Sequence, residues 1–298
     1  DERSAMSESW VELESQYFFP TGKRLLVTLV RGEGSRVWDE DGREYFDCVA
    51  GIASVSLHDT TLEDVVALQR RGLRPVVVHG GGALISEWLK LHHVPTRFER
   101  GLRVTDERTL EVVVAVLAGL VNKGLVAALA AAGGRAVGLS GADGSLLKAR
   151  LLDEKLGLVG EVAEVETRPL LDLLDDGFVP VVAPIAVEWR DEVPLSQLLN
   201  INADSAAGAV AEALAARWLV FLTDVPGIRD EDGRTVPALS PAQACALTEA
   251  GVVQGGMIPK VEACLRAVGA GCRSVIADGR RAGALLQAIE ERTGTVVG

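Results

Sequence analysis

The sequence predicts an α/β protein built on a largely parallel β-sheet that helices cover on both faces. From about residue 60 onward, short apolar runs alternate with helical patterns. The runs are rich in β-branched residues and nearly continuous, which is typical of strands buried on both faces. Ligands of such sheets lie beyond the carboxyl ends of the strands, so the residues that follow each run are the candidate functional residues.

The individual elements follow from the same patterns. Apolar runs predict strands at residues 75–79, 135–139, 178–183, 218–222 and 274–277. Helical patterns predict helices at residues 83–91, 109–132, 169–176, 204–216, 241–250, 260–270 and 282–291. The first 58 residues differ from the rest, because they hold most of the phenylalanine and tyrosine, and residues 31–45 predict a β-hairpin with an Asp41-Gly42 turn.

Composition excludes several classes of function. The chain has 298 residues, 48% hydrophobic and 24% charged, with a formal net charge of -12, which is typical of a globular protein and unfavourable for binding nucleic acid. No uninterrupted apolar run approaches the roughly 20 residues of a membrane span, and the first ten residues lack a secretory pattern. The four cysteines have no metal-ligand spacing, so we expect reduced thiols and a cytoplasmic location.

A glycine-rich turn is the first candidate anion site. His79-Gly80-Gly81-Gly82 follows a strand and opens a helix, so its backbone amides can approach a ligand at a helix N-terminus. A plain strand-to-helix turn needs fewer glycines. The same four residues form an oxyanion hole in some esterases, but residues 138–142 lack the last glycine of a nucleophile elbow. The sequence contains neither GxxxxGK[ST] nor a GxGxxG that opens a helix.

Two further turns carry polar residues that helix capping explains only in part. In the run 200–204, Asn202 and Asp204 suit the start of a helix, which leaves Asn200 without a structural reason. Lys260 follows two glycines and falls in the first turn of a helix, where a cation opposes the helix dipole. A bound phosphate would explain this lysine.

Together these segments resemble the amino-acid kinase family, and within it the N-acetylglutamate kinases. The resemblance implies a three-layer α/β/α sandwich, with an atypical N-terminal segment at 1–58, an acyl-amino-acid lobe at 59–185 and a nucleotide lobe at 186–298. It also implies ATP-dependent phosphorylation of the γ-carboxylate of N-acetyl-L-glutamate in arginine biosynthesis. Seven motifs appear in the family's order, at residues 76–82, 101–106, 121–123, 137–144, 200–204, 222–228 and 255–261.

The resemblance also implies roles for individual residues. Gly81 and Gly82 would contact the acyl substrate and the transferring phosphoryl group, and Arg103 would pair with the α-carboxylate of the substrate. Lys260 would neutralise the moving phosphoryl group, and Asp204 would organise the active-site lysines. The other implied residues are Asn200 and Asn202 for the substrate, and Thr223, Asp224, Val225, Pro226, Gly227, Ile228, Arg229, Val252, Val253, Gln254 and Lys260 for the nucleotide.

These residue types suit the implied chemistry. The attacking carboxylate is already ionised at neutral pH, so the reaction needs no general base. Phosphoryl transfer depends on alignment and on neutralisation of charge, with Mg²⁺ carried by the nucleotide. We expect ATP and N-acetyl-L-glutamate as ligands, no pyridoxal phosphate, no protein-bound metal, and a homodimer or higher homo-oligomer.

One element of the family is missing from the sequence. The family's first strand normally ends in Lys-x-Gly-Gly, whose lysine is one of two that stabilise the transition state, but residues 47–53 read DCVAGIA and the only lysine before the glycine turn is Lys23. Residues 14–58 instead resemble the opening of acetylornithine aminotransferases. Losing one such donor costs about 3–4 kcal/mol of barrier. We therefore keep two alternatives to an impaired kinase: a catalytically silent subunit of the same fold, and a kinase for a related acylated amino acid such as aminoadipate.

Overall fold

The computed structural model describes residues 29–33, 36–39, 44–46, 59–99, 101–191, 193–290 and 293–298. The chain divides into two units, Asp1–Gly51 and Ile52–Gly298. In the first unit, β1 (Leu29–Glu33), β2 (Arg36–Asp39) and β3 (Glu44–Phe46) form an antiparallel sheet in the order β1-β2-β3. Val37 pairs with Tyr45, so the predicted hairpin is confirmed, although its Asp41-Gly42 turn lies outside the described residues.

The second unit alternates strands and helices, as the apolar runs predict. Its described strands and helices, in chain order, are α1 (Asp59–Arg70), β4 (Val77–Val78), α2 (Gly82–Leu91), β5 (Phe98–Glu99), β6 (Leu102–Arg103), α3 (Glu107–Val114), a π-helical segment (Ala115–Val121), α4 (Asn122–Ala131), β7 (Ala136–Ser140), β8 (Leu147–Leu151), β9 (Val159–Val165), α5 (Arg168–Asp175), β10 (Val179–Ala183), β11 (Ile185–Arg190), β12 (Val193–Ile201), α6 (Ala203–Ala213), β13 (Trp218–Thr223), β14 (Ala238–Leu239), α7 (Pro241–Glu249), α8 (Met257–Gly269), β15 (Arg273–Asp278), α9 (Ala284–Glu290) and β16 (Thr295–Val297).

Parallel pairing dominates the two main sheets of this unit. One sheet has the order β4-β10-β7, and both of its pairings are parallel. The other has the order β13-β15-β16-β14, in which only the β15–β16 pairing is antiparallel. All five strands predicted from the apolar runs lie in these sheets, so the mainly parallel α/β class is confirmed.

Alternate strand residues enter different hydrophobic clusters, which shows that both faces of the sheets are covered. In β10, Val181 belongs to a cluster with α1, α3 and α4, whereas Val182 packs with α5 and α6 on the other face. In β15, Val275 faces the first cluster and Ile276 faces a third one, formed with α7 and α8. The first cluster includes residues of both main sheets, so it forms one continuous helical layer over them.

A small closed barrel of β11, β12, β9 and β8 was not expected from the apolar runs. Its strands carry charged residues such as Lys148 and Glu164, so they lack the continuous apolar pattern of a buried parallel strand. The barrel supports the loop after β6, because Thr105 exchanges backbone hydrogen bonds with Leu156 and Leu158 at 2.9 and 2.7 Å. It also delivers Asn200 near the end of β12.

Residues Glu107–Ala131 form one long helix interrupted only by the π-helical segment. Sequence patterning predicts no membrane span, yet this helix is long and apolar enough to cross a membrane by length and composition alone. Val113, Leu117 and Leu129 lie in the hydrophobic core, and 39% of the most apolar window is buried inside the fold. Glycine and alanine occupy much of the exposed side of this helix.

Candidate active site

The glycine turn lies between the half-buried strand β4 and helix α2. Gly81 is the N-cap residue of α2 and is buried, and its backbone is extended, with φ at 176°. A Cβ atom at this position would lie 2.7 Å from Leu117 Cδ2 and 3.3 Å from Val121 Cγ2. The long helix therefore packs so closely against the turn that only glycine fits, which explains part of the glycine run without a ligand.

Arg103, at the end of β6, reaches the same turn. The residue is only 7% exposed, and its Nη2 atom donates to Gly82 O at 3.0 Å and to Ser86 Oγ at 2.9 Å. Its guanidinium carbon lies 4.7 Å from the centre of the Phe98 ring. Burial lowers the pKa of Arg103, but a guanidinium stays protonated at any physiological pH.

One nitrogen of this guanidinium has no partner. Arg103 Nη1 is buried and makes no hydrogen bond within the part of the chain that the structure describes. A buried cationic donor without a partner is costly, because it has lost its hydration and has gained nothing in return. A carboxylate is the group that matches the planar donors of arginine, so the free nitrogen marks a place for a bound acid.

Asn200 is connected to Arg103 through a single threonine. Asn200 Nδ2 donates to Thr105 Oγ1 at 3.1 Å, and Thr105 Oγ1 donates to the carbonyl of Arg103 at 2.8 Å. The structure thus brings Gly82, Arg103 and Asn200 into one neighbourhood. Asn202 differs from them, because its side-chain oxygen accepts from Ser205 N at 3.0 Å and caps α6.

Asp204 and Lys260 form a close ion pair between α6 and α8. Lys260 Nζ lies 3.0 and 2.8 Å from the two carboxylate oxygens of Asp204, and both side chains are 16% exposed. Pro259 is accommodated in the first turn of α8, where its missing N–H costs little, so this helix begins at Met257 rather than at Lys260. Both charged groups therefore lie at the N-terminal ends of their helices, where the partial positive charge of the backbone favours an anion.

The residues implied for the nucleotide follow β13 and precede α8. Asp224, Arg229 and Gln254 are exposed, and Asp224 accepts from Thr223 Oγ1 at 3.1 Å. Thr223, Val225, Pro226 and Val252 are half-buried. Ile228 and Val253 lie in the hydrophobic core with exposures of 1% and 4%, and Gly227 is buried as well. The side chains of Ile228 and Val253 thus stabilise the fold. Their backbone N–H groups are also used within it, because Ile228 N donates to Thr295 Oγ1 at 2.8 Å and Val253 N donates to Leu247 O at 3.2 Å.

Sequence reasoning missed Ser86 and Thr105 as members of this site. Ser86 lies one helical turn after Gly82, a spacing that places both on one side of α2. Thr105 belongs to a motif that the sequence comparison used, but only the tertiary contact with Asn200 shows what its hydroxyl does. Residues 47–53, where the family's Lys-x-Gly-Gly element is missing, lie outside the described residues.

The amino acid kinase family model matches residues 50–278 of this chain. The chain belongs to the amino acid kinase family. Most of the segment 14–58, which resembles aminotransferases, precedes the matched region. The assignment accordingly rests on the second unit and its motifs.

Two relatives within this family are both named acetylglutamate kinase. The acetylglutamate kinase of Oleidesulfovibrio alaskensis is 47% identical over 238 residues, which cover 76% of this chain and 79% of that protein. The acetylglutamate kinase of a Synechococcus species is 45% identical over 250 residues, covering 82% and 83%. Among solved structures, N-acetylglutamate synthase of Neisseria gonorrhoeae, complexed with coenzyme A and N-acetyl-glutamate, is 27% identical with a TM-score of 0.70, covering 80% of this chain and 55% of that one.

Proposed function

We propose that this amino acid kinase transfers the γ-phosphoryl group of ATP to the γ-carboxylate of N-acetyl-L-glutamate, in arginine biosynthesis in the cytoplasm. The observation that carries the proposal is the buried Nη1 of Arg103 beside the glycine turn, which has no hydrogen-bond partner among the described residues. The ion-paired Lys260, at the start of α8, is the second cation of the proposal. The names of the two relatives, and the N-acetyl-glutamate bound to the synthase, support an acylated glutamate as the acid.

The acceptor is bound first through its α-carboxylate. Arg103 Nη1 donates to this carboxylate, while Nη2 keeps its bonds to Gly82 and Ser86 and so holds the guanidinium in place. Asn200 donates to the acceptor from the end of β12, and Asn202 stabilises the adjoining helix N-terminus. The amides of Gly81 and Gly82 then contact the acyl end and the phosphoryl group.

Transfer requires alignment and charge neutralisation. An oxygen of the γ-carboxylate attacks the γ-phosphorus, the bond to the β,γ-bridging oxygen breaks, and its electrons leave with ADP. Lys260 neutralises charge on the moving group, and Asp204 fixes the position of its ammonium. Both oxygens of Asp204 accept from Lys260, so this carboxylate would not be a ligand of Mg²⁺. The ion would be bound with the phosphates of ATP and would supply further charge neutralisation. Residues 223–229 and 252–254 line the nucleotide.

A hydroxylamine trap tests this function directly. Acyl phosphates react with hydroxylamine to give a coloured hydroxamate, so purified protein with ATP, Mg²⁺ and N-acetyl-L-glutamate is expected to produce it. A hydroxamate from N-acetyl-aminoadipate alone would support the related acceptor instead. Folded protein that binds ADP and N-acetyl-L-glutamate but yields no hydroxamate would be the silent subunit, which the missing Lys-x-Gly-Gly lysine favours.

The first prediction concerns Lys260. We expect Lys260→Ala to lower kcat by about 10²–10³-fold, because one preorganised donor to the transferring group is lost. Lys155→Ala, at an exposed lysine, is the matched control and is expected to leave kcat unchanged. Equal rates for wild type and Lys260→Ala in the hydroxamate assay would contradict the role of Lys260.

We also propose that the chain forms a homodimer through the long helix. Leu120 is 44% exposed. The residues exposed around it on the helix include four small ones, namely Ala115, Gly119, Gly124 and Ala127. Small residues allow two helices to approach closely and bury a continuous apolar strip.

A further inference from the structure

A buried histidine and asparagine lie behind the glycine turn and have no part in the chemistry proposed above. His79 and Asn122 are 1% and 0% exposed. The Nδ1 atom of His79 lies 3.0 Å from Gly80 O, and its Nε2 atom lies 3.2 Å from Asn122 Nδ2. The ring therefore connects the turn to the first residue of α4.

The surrounding acceptors define the orientation of the Asn122 amide. Its Nδ2 atom lies 2.8 Å from Val181 O and 3.3 Å from Leu139 O, and its Oδ1 atom accepts from Lys123 Nζ at 3.0 Å. The reversed amide would place an oxygen against two carbonyls and an amine against the ammonium. Asn122 thus presents a donor to His79, and the same amide nitrogen bonds to carbonyls of strands β7 and β10.

These partners also define the tautomer of His79. The carbonyl of Gly80 only accepts, so Nδ1 carries the proton, and the amide nitrogen of Asn122 only donates, so Nε2 carries none. A doubly protonated ring would place two N–H groups against each other. Burial also lowers the pKa of His79, which favours the neutral ring.

The tautomer has a consequence for the neighbouring peptide. Because the Gly80–Gly81 peptide is planar and trans, holding the Gly80 carbonyl toward the ring directs the Gly81 N–H to the opposite side. Leu117 and Val121, from the π-helical segment, also pack closely against Gly81. The turn is consequently held by a hydrogen-bonded chain and by packing, both of which come from residues 117–122.

We propose that Asn122 is a positioning residue: it holds His79 as the Nδ1–H tautomer and, together with the packing of Leu117 and Val121 against Gly81, keeps the amides of the glycine turn facing the acceptor and the phosphoryl group. The kinetic part of this inference rests on the proposed function. The structural part, the tautomer and its dependence on Asn122, does not.

Nitrogen-15 NMR of the four histidines tests the structural part. In wild type we expect one ring, identified by its absence from His79→Asn, to show the Nδ1–H tautomer and no titration between pH 5 and 8 (about 1.5 pH units on either side of an ordinary histidine pKa). In Asn122→Ala we expect that ring to change to the Nε2–H tautomer or to titrate. An unchanged ring in Asn122→Ala would overturn the proposal, whether or not the protein is a kinase.

Kinetics and binding test the positioning part. We expect Asn122→Ala and His79→Leu to lower hydroxamate formation and to weaken N-acetyl-L-glutamate binding by about tenfold or more, with ADP affinity within about twofold of wild type, because a slightly displaced turn misaligns the acceptor. His79→Asn places an amide nitrogen near the Nδ1 position, so it is expected to retain most of the activity.

A buried residue of the same helix controls for lost stability. Leu129→Ala, two helical turns after Asn122 and 0% exposed, removes core packing without touching the turn, and we expect normal kinetics below its unfolding temperature. Equal losses in Leu129→Ala and Asn122→Ala would overturn the positioning role. If Asn122→Ala does not fold, the comparison of His79→Leu with His79→Asn decides the same question. If wild type makes no hydroxamate, calorimetric binding of N-acetyl-L-glutamate replaces turnover as the readout.

Discussion

At the scale of single residues, Arg103 differs from an arginine in a structural ion pair, because its Nη1 has no hydrogen-bond partner in the described part of the chain. A structural arginine in the interior has its donors occupied, whereas Arg103 uses Nη2 for Gly82 and Ser86 and keeps Nη1 free within the described chain. The bound part of the guanidinium fixes the direction in which the free nitrogen points. Bonding to the turn with one nitrogen while another stays available requires two separate nitrogens, which lysine does not have.

The second prediction follows from that geometry. We expect Arg103→Lys to raise the KM for N-acetyl-L-glutamate by about 30–100-fold, which corresponds to about 2–3 kcal/mol for a lost charge-assisted hydrogen bond, while the KM for ATP stays within about twofold. Steady-state rates with either substrate varied separate the two effects. Arg150→Lys, at an exposed arginine of β8, is the control, and an unchanged acceptor KM in Arg103→Lys would remove the basis for placing the α-carboxylate there.

Much of the candidate site was predictable at this scale from motifs. Asp204 and Lys260 are 56 residues apart, and the structure brings them within hydrogen-bond distance. Ile228 and Val253 show why position along the sequence is not enough, because the resemblance implies both for the nucleotide and yet their side chains pack in the core. The local sequence predicts which polar residues and glycines lie in a turn, whereas the burial of a side chain depends on elements that are distant along the chain.

At the scale of elements, the approach of α6 to α8 controls the ion pair. A Cβ atom at Gly208 would lie 2.8 Å from the Cβ atom of Ala263 and 2.9 Å from its Cα atom. The glycine therefore permits close helix packing, and the two helices carry Asp204 and Lys260 at their N-terminal ends.

The third prediction concerns this contact. We expect Gly208→Ala to lower the free energy of unfolding by about 1–3 kcal/mol through overpacking, despite the better helix propensity of alanine, and to lower kcat because the ion pair moves. Gly269→Ala, at the end of α8 with nothing within 4 Å, is expected to be neutral or stabilising by up to about 1 kcal/mol. Urea unfolding measures the stability of each variant, and the rate of hydroxamate formation measures its kcat. A Gly208→Ala variant as stable as wild type would show that α6 and α8 can move apart without an energetic cost.

At the scale of the whole molecule, the long helix combines a buried face with an exposed apolar one. A monomer gains nothing from exposing Leu120 beside small residues, whereas a second copy of the helix can cover them. The same helix contacts the glycine turn through Leu117 and Val121. In the proposed dimer, one element would therefore form the interface between the subunits and also support the glycine turn.

The fourth prediction tests assembly. We expect wild type to be dimeric by light scattering coupled to gel filtration, and Leu120→Glu to be monomeric, because burying two uncompensated carboxylates at a dimer contact is costly. Leu73→Glu, at a leucine that is 50% exposed and lies outside the long helix, is expected to remain dimeric. A dimer that persists in Leu120→Glu would place the interface elsewhere.

The sequence by itself determined the class of fold, five of the seven described strands of the two main sheets, the glycine turn and the kinase family, because these depend on local periodicity and on short motifs read in order. Tertiary structure alone decided that Thr105 links Asn200 to Arg103, that the amide nitrogen of Asn122 lies against His79 Nε2, and that Ile228 belongs to the core. Each of these facts depends on atoms that are brought together from distant segments, and a linear pattern carries no record of such distances.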